Sequence, residues 1–270
     1  MPSVATETRR SAIVDLAHEG LANVETLASR FDVSPSTIRR DLAILTTEGR
    51  IARTYGGAIP IGAHSESTLR QRMDEAHSAK VAIGQWAATQ VATGDTVLLD
   101  VGSTVGALAA ALAGARGLTV ITASLTVVTE LSDAGGVVVE CLGGRLRPMS
   151  QGFLGPLTEA ALERVSADAV FLGTDGISDE GEICEADLGQ VRLKELMVRR
   201  AERVYVLAHG EKIGARPFHA WFRIPLPWTI VTDTTAPTER VAALRARGVQ
   251  VVVVDETQGS RSPTTTESVE

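Results

Sequence analysis

Two sets of residues in this 270-residue chain have the types and spacing that recognition chemistry needs. The first lies between Ser34 and Gly57. Placed on a helix at about 100° per residue, Ser36, Arg40, Ala43 and Thr47 project from one side, with Arg39 on the flank and Arg53 and Tyr55 following. Small side chains permit close approach, and an arginine donates two parallel bonds to guanine or clamps a phosphate, so the face suits a major groove. It is equally what an ordinary solvated helix exposes. The second set consists of five turns: Asp100-Val101-Gly102-Ser103-Thr104, Thr122-Ala123-Ser124, Gly143-Gly144-Arg145, Gly173-Thr174-Asp175-Gly176 and His209-Gly210-Glu211-Lys212. Glycines bring backbone N–H groups close to an anion, hydroxyls add donors, and a helix starting after Gly102 adds a favourable dipole. Together they suit a phosphorylated polar molecule, although any strand-to-helix turn favours Gly and Ser.

The elements that must position these residues are readable. Ile13, Leu16 and Ala17 mark a first helix over 9–19, closed by Gly20. Val24, Leu27, Ala28 and Phe31 form a single stripe behind the N-cap candidate Asn23. A third helix starts at Ser34 as N-cap with Pro35 in the first position, turns Ile38, Leu42 and Leu45 inward, and stops at Gly49. Two short extended runs around Gly56-Gly57 complete a winged helix-turn-helix, mostly α with a β wing, over residues 1–60. The wing carries Arg53 and Tyr55 toward the backbone or minor groove.

Residues 61–79 are polar and mixed in charge, as a linker would be, and helical character returns from Lys80 to Val91. Strands are expected at 96–100, 118–122, 136–141, 169–173, 204–208, 228–233 and 249–255, several separated by helical stretches. This is an α/β domain with a mainly parallel sheet over 80–256, followed by a disordered Thr-, Ser- and Glu-rich tail at 257–270. Ligands of such sheets bind beyond the carboxyl ends of the strands, where the five turns fall.

Composition narrows the classes. With 44% hydrophobic and 22% charged residues the chain is globular, and its length fits roughly two domains. A formal net charge of -7 argues at first against a nucleic-acid partner. The charge is unevenly placed, however: residues 1–60 hold seven Lys or Arg against seven Asp or Glu, and residues 30–60 hold five against three. The acidity therefore belongs to the larger domain and tail. Cys141 and Cys184 have neither metal nor redox spacing and read as two free, mostly buried thiols. Gly102 and Gly106 fit neither the dinucleotide nor the P-loop spacing, so no cofactor and no metal is expected. No apolar run approaches the roughly 18–20 residues of a membrane helix, and Met1 to Thr8 lacks a secretory pattern, so a cytoplasmic location without a membrane partner is expected.

The stretch from Val24 to Leu42, with Leu45, Gly49, Ile51, Arg53, Tyr55, Gly56 and Gly57, resembles the DeoR-type helix-turn-helix of bacterial transcription regulators. The resemblance implies that Ser34 to Glu48 reads double-stranded operator DNA through Ser34, Ser36, Thr37, Arg39 and Arg40, with Arg53, Tyr55 and Gly56 in the wing. Asp41 also matches but is unfavourable at a groove, so it reads as structural, paired with a neighbouring arginine. The resemblance continues to residue 255 through Asp100 to Thr104, Gly143 to Pro148, Gly155-Pro156, Leu172 to Ile177, Lys194 and Lys212, which look like the DeoR C-terminal sensor. That domain is similar in fold to ribose-5-phosphate isomerase and CoA transferases, and senses a phosphorylated sugar or related intermediate. On this likeness Lys194 and Lys212 meet the phosphate or carbonyl end, Asp100 and Asp175 meet hydroxyls, and Gly102, Ser103, Thr104, Ser124, Gly143 and Gly144 complete the effector set. Arg72 and Lys80 match recurrent basic positions but equally fit solvated charges. One departure stands out: Ala208-His209-Gly210-Glu211 replaces the family's acidic residue and serines before the lysine, which leaves the effector's identity open.

The function so implied is a homo-oligomeric, dimeric or larger, repressor of carbohydrate or related catabolic genes that leaves DNA when the effector binds; an activator is the variant of this reading. The competing class is a sugar-phosphate isomerase or deaminase with a DNA-binding head, using Asp175 and Lys212 as acid and base. No nucleophile-base pair is legible, so no catalytic residue is assigned.

Overall fold

The computed structural model describes residues 4–18, 24–47, 51–54, 57–60, 66 and 68–255. Gly20, Asn23, Gly49, Tyr55, Gly56 and the 257–270 tail lie outside the described residues, as do the side chains of Ala17, Thr47 and Arg53. The chain divides into two compact units, Met1–Glu66 and Ser67–Glu270.

The first unit contains α1 (Val4–His18), α2 (Val24–Arg30), α3 (Pro35–Thr47) and an antiparallel hairpin of β1 (Ile51–Thr54) and β2 (Gly57–Pro60). Its core is the meeting of three helical stripes: Ile13 and Leu16, then Val24, Leu27 and Ala28, then Ile38, Leu42 and Leu45. Asp32 adopts φ 49°, and the N–H groups of Phe31 and Val33 donate back to the carbonyls of Leu27 and Ala28, which closes α2 before α3 begins. Asp41 lies inside this packing, 2% exposed, and its two oxygens accept from Arg9 Nε at 2.8 Å and Arg10 Nε at 2.9 Å. Its arginines therefore come from α1, and they bind α1 to α3.

The second unit begins earlier than expected. Residues 69–79, read as linker, form α4 (Leu69–Asp74) and the start of α5 (His77–Ala88). Thr68 caps α4 in a reciprocal box: Gln71 N–H donates to Thr68 Oγ1, and Thr68 N–H donates to Gln71 Oε1. Then follow β3 (Thr96–Leu99), α6 (Ser103–Leu112), β4 (Leu118–Thr122), α7 (Leu125–Leu131), β5 (Val137–Cys141), β6 (Arg145–Arg147) and β7 (Gly152–Leu154). Next come α8 (Pro156–Leu162), β8 (Ala167–Leu172), β9 (Gly176–Ile177), β10 (Glu182–Glu185), α9 (Leu188–Arg199) and β11 (Ala201–Leu207). A short 3-10 turn (Gly210–Lys212), β12 (Ala220–Arg223), β13 (Thr229–Asp233), α10 (Thr238–Ala246) and β14 (Gln250–Val254) complete it.

Seven strands form one parallel sheet in the order β14-β13-β11-β8-β3-β4-β5. Its residues alternate between two cores: Leu98, Val170, Leu172, Val206 and Ile230 face one, and Val97, Leu99, Phe171, Leu207 and Val231 face the other. The chain builds outward from β3 through β4 and β5, then returns to the other side of β3 with β8. The neighbours β3 and β8 thus flank the point where strand order reverses, which is where such sheets open a crevice. Cys184 is buried, but Cys141, at the end of the edge strand β5, is exposed, so only one of the two thiols is in the core.

Gly84 permits α5 and α6 to approach closely. A Cβ there would sit 2.7 Å from the backbone of Ala107 and Leu108. Alanine gains about 0.5–1 kcal/mol of helix preference, but overpacking against backbone costs about 1–3 kcal/mol. Gly84→Ala is expected to lower the urea midpoint, and a raised midpoint would show that the helices separate freely.

Candidate functional site

In the first unit, Ser34 starts α3 as anticipated, with Thr37 N–H donating to its Oγ at 3.2 Å. The hydroxyls of Ser34, Ser36 and Thr37 form a cluster, with Ser34 Oγ 2.7 Å from Ser36 Oγ and 2.9 Å from Thr37 Oγ1. Ser34, Ser36, Arg39, Arg40 and Ala43 are exposed and Thr37 is half-buried, opposite the inward stripe of Ile38, Leu42 and Leu45. The result is a small-residue, cationic helix face whose one acid, Asp41, turns into the core.

In the second unit the crevice at the strand reversal is lined by Gly102, Ser103 and Thr104 after β3, Gly173, Thr174 and Asp175 after β8, and the side chains of Arg72, Glu185, Gln190, Lys194 and Lys212. Lys194 of α9 is its floor, 1% exposed. Its ammonium donates to Asp100 Oδ2 and to Gly173 O at 2.8 Å, and lies 2.9 Å from Glu185 Oε1. Asp100, also 1% exposed, accepts Gly173 N–H at 2.9 Å, so it joins the ends of β3 and β8 beneath the cleft. Above it, Arg72 Nη1 donates to Asp175 Oδ1 at 3.1 Å, and Lys212 Nζ donates to Thr174 O. Lys80 is 3% exposed and donates to the carbonyls of Arg72 and, at 2.6 Å, Glu75. It is no solvated charge.

Burial would lower the Lys194 pKa, but Asp100 and Glu185 together hold it above the ordinary lysine value. Burial, reinforced by the carboxyls of Asp175 and Asp100, pushes Glu185 up to about 8 against the pull of Lys194. The remaining lysines go the other way. Burial and the charge of Lys212 bring Lys80 down to about 8, and burial, with Arg72 nearby, lowers Lys212 despite the attraction of Asp175. His209, at the end of β11 and 7% exposed, is lowered to about 4 by burial and by Lys212 and Lys80. Its Nδ1 is buried without a partner. The site therefore holds cations under strain, and α6 begins at Gly102 with no side-chain cap on its amides.

Sequence reading thus brings Gly102, Ser103, Thr104, Asp175, Lys194 and Lys212 to one cleft, with Asp100 directly below. Three expected members serve elsewhere. Ser124 accepts Val127 N–H as N-cap of α7. Gly143 and Gly144 adopt φ 64° and 119°, and a Cβ on Gly144 would lie 2.1 Å from Thr158 Oγ1, so these glycines serve backbone geometry and packing on α8. Glu185 and Gln190 were not anticipated: Glu185 lies on β10, only four residues long, and Gln190 is a lone polar residue in the first turn of α9. Arg72 and Lys80 carried a signal only as recurrent basic positions.

A winged helix-turn-helix unit joined to a doubly wound α/β unit with a cation-rich cleft defines a ligand-responsive DNA-binding protein. The chain belongs to the DeoR family of transcriptional regulators: residues 9–62 match the DeoR-like helix-turn-helix domain and residues 75–234 the DeoR C terminal sensor domain. It is 31% identical to the HTH-type transcriptional regulator GlpR of Haloferax volcanii, over 90% of this chain and 96% of that protein. It is 31% identical to the HTH-type transcriptional repressor GlcR of Bacillus subtilis, over 94% and 98%. With the glycerol-3-phosphate regulon repressor of Escherichia coli it shares 28% identity over 90% and 97%. Ribose 5-phosphate isomerase A from Neisseria gonorrhoeae overlays 55% of each chain, with a TM-score of 0.37 and 13% identity. No described helix is long and apolar enough to cross a membrane.

The neutral His209 has a pH signature. Its folded pKa of about 4 lies below the ordinary 6.5, so the unfolded chain binds the extra proton first as pH falls through 6.5 toward 4. Stability is lost across that window, with a limiting slope of about 1.4 kcal/mol per pH unit for one group. His209→Gln is expected to flatten the decline in melting temperature between pH 6.5 and 4. An unchanged slope would place the acid sensitivity elsewhere.

Proposed function

We propose that this protein is a repressor of carbohydrate or related catabolic genes, released from its operator when a phosphorylated sugar or similar intermediate enters the cleft of the second unit. The observation that carries the reading is electrostatic. Three cationic side chains, Arg72, Lys194 and Lys212, line a cleft whose carboxyls are Asp175, Asp100 beneath it and Glu185, which burial pushes up, while Lys80 lies against the Arg72 carbonyl at its side. Lys80 and Lys212 are both destabilised in their charged forms. A phosphate dianion relieves that imbalance, and sugar hydroxyls match the acceptors of Asp175 and the donors of Ser103 and Thr104. The relatives support this class: one is named for a glycerol-3-phosphate regulon. Asp100 and Lys194, already saturated by each other, position the strand ends rather than contact the effector directly.

Operator recognition is assigned to Ser34, Ser36, Thr37, Arg39 and Arg40 of the α3 face, with Arg53, Tyr55 and Gly56 in the wing. The protein works as a homo-oligomer in the cytoplasm, each copy bringing one recognition helix to a half-site. Binding, rather than turnover, suits Asp175 and Lys212, since each is engaged by a neighbour: Arg72 for the first and Thr174 O for the second.

Release from an operator selected from a random-sequence pool tests the function. Hexose, pentose and triose phosphates are screened for a raised melting temperature and for loss of operator binding; at a hundred times its Kd a ligand stabilises by about 2.7 kcal/mol. Multiple-turnover product from any of them would replace the sensor with an enzyme. On the same operator, Arg40→Ala is expected to weaken binding about tenfold and reduce the salt slope by about 1 per protomer. A variant unchanged in both respects removes Arg40 from the interface.

A further inference from the structure

The cleft as folded is closed to the effector proposed for it. It encloses about 20 Å³ of free space, room for about one water, whereas small-molecule sites run to about 300–1,000 Å³. The side chain over it is Arg72, carried by α4, the first element after the division at Glu66. Its hold is one-ended. Nη1 meets Asp175 Oδ1 at 3.1 Å, Nη2 reaches Met149 O only at 3.5 Å, and Nε is buried without a partner. A bidentate pair would be stronger.

The rest of α4 is fastened by contacts that an anion can also compete for. Leu69 N–H donates to Met149 O at 3.0 Å, and Lys80 Nζ spans the carbonyls of Arg72 and Glu75. The corner between α4 and α5 turns at Ala76 with φ 47°, a conformation that L residues other than Asn and Asp seldom adopt. Beside the cleft lies an open groove of about 490 Å³, lined in part by Met73 of α4 and by Lys80, and sharing Ser103 with the cleft.

We infer that α4 is a latch: Arg72 keeps the cleft closed by occupying Asp175, and the effector enters by exchanging these partners. A sugar hydroxyl takes Asp175, the phosphate takes Arg72 and Lys80, and α4 shifts. Because α4 is the first element after the division, its shift passes directly into the chain leading to the winged unit. The closed latch is the operator-binding form, and the effector, which the closed cleft has no room to hold, selects the open one. This rests on the reading of the cleft as the effector site.

The test needs no effector. Full-length Arg72→Met, Asp175→Asn and the double variant are compared with the wild type by hydrogen exchange and by affinity for a selected operator. Each single variant is expected to exchange the backbone amides at positions 69 and 72 at least tenfold faster and to bind operator about tenfold more weakly. The double variant should be no weaker than either, since both changes remove one pair. Arg247→Met, an exposed cation away from the cleft, should change neither readout. Unchanged α4 exchange, or additive losses in the double variant, overturns the latch. If one single variant fails to fold, the other breaks the same pair from the opposite side. Sugar phosphates that raise the wild-type melting temperature while the variants show no α4 effect leave the effector site standing without the latch. Faster α4 exchange and weaker operator binding in the variants, with no sugar phosphate stabilising the wild type, support the latch and overturn the choice of effector instead.

Discussion

A buried ammonium organises the sensor unit. Taking such a group out of water costs several kcal/mol even after relaxation, so Lys194 can sit at 1% exposure only with charged and polar partners on every side. Asp100 comes from the end of β3, Gly173 from the end of β8 and Glu185 from β10, while Lys194 itself comes from α9. Four segments distant in sequence are fixed at one point, and that point is the strand reversal. Gln190 Nε2 adds a bond to Glu185 Oε2 at 3.1 Å, one turn before Lys194 on the same helix.

From this anchor the logic of the cleft follows. Because Lys194 is satisfied from below, it contributes field rather than an open contact. The groups left to respond are those above it: Lys80 and Lys212, which burial and neighbouring cations make uncomfortable in their charged forms, and Arg72, paired with Asp175. His209 adds no charge near pH 7, since the same lysines and the same burial keep it neutral. The position at which the chain departs from its family pattern is therefore an uncharged, buried group beside two lysines.

Much of this was legible in sequence, for reasons that differ by element. Inner strands of the main sheet such as β3, β4 and β13 read as Val-, Ile- and Leu-rich runs because they are buried on both faces. The third helix announced itself through Ser34, Pro35 and a clean inward stripe. Strands of two to four residues such as β9 and β10 leave no period to detect, and Glu185 was lost with them. Arg72 and Asp175 are 103 residues apart, and Asp41 is 32 and 31 residues from Arg9 and Arg10, so only the fold could show who pairs with whom. Gly143 and Gly144 lie outside the lining of the cleft and both take positive φ, and in sequence a glycine needed for positive φ looks the same as one needed for anion approach.

The central claim is that Lys80 and Lys212, at and beside the cleft, are short of negative charge. It is tested most directly by calorimetric titration of the full chain near pH 8 with a stabilising sugar phosphate, in buffers of differing ionisation enthalpy. Lys80, lowered to about 8, should be re-protonated when a phosphate arrives, so binding is expected to take up protons from the buffer. Binding with no proton uptake, or with net release, would contradict the account.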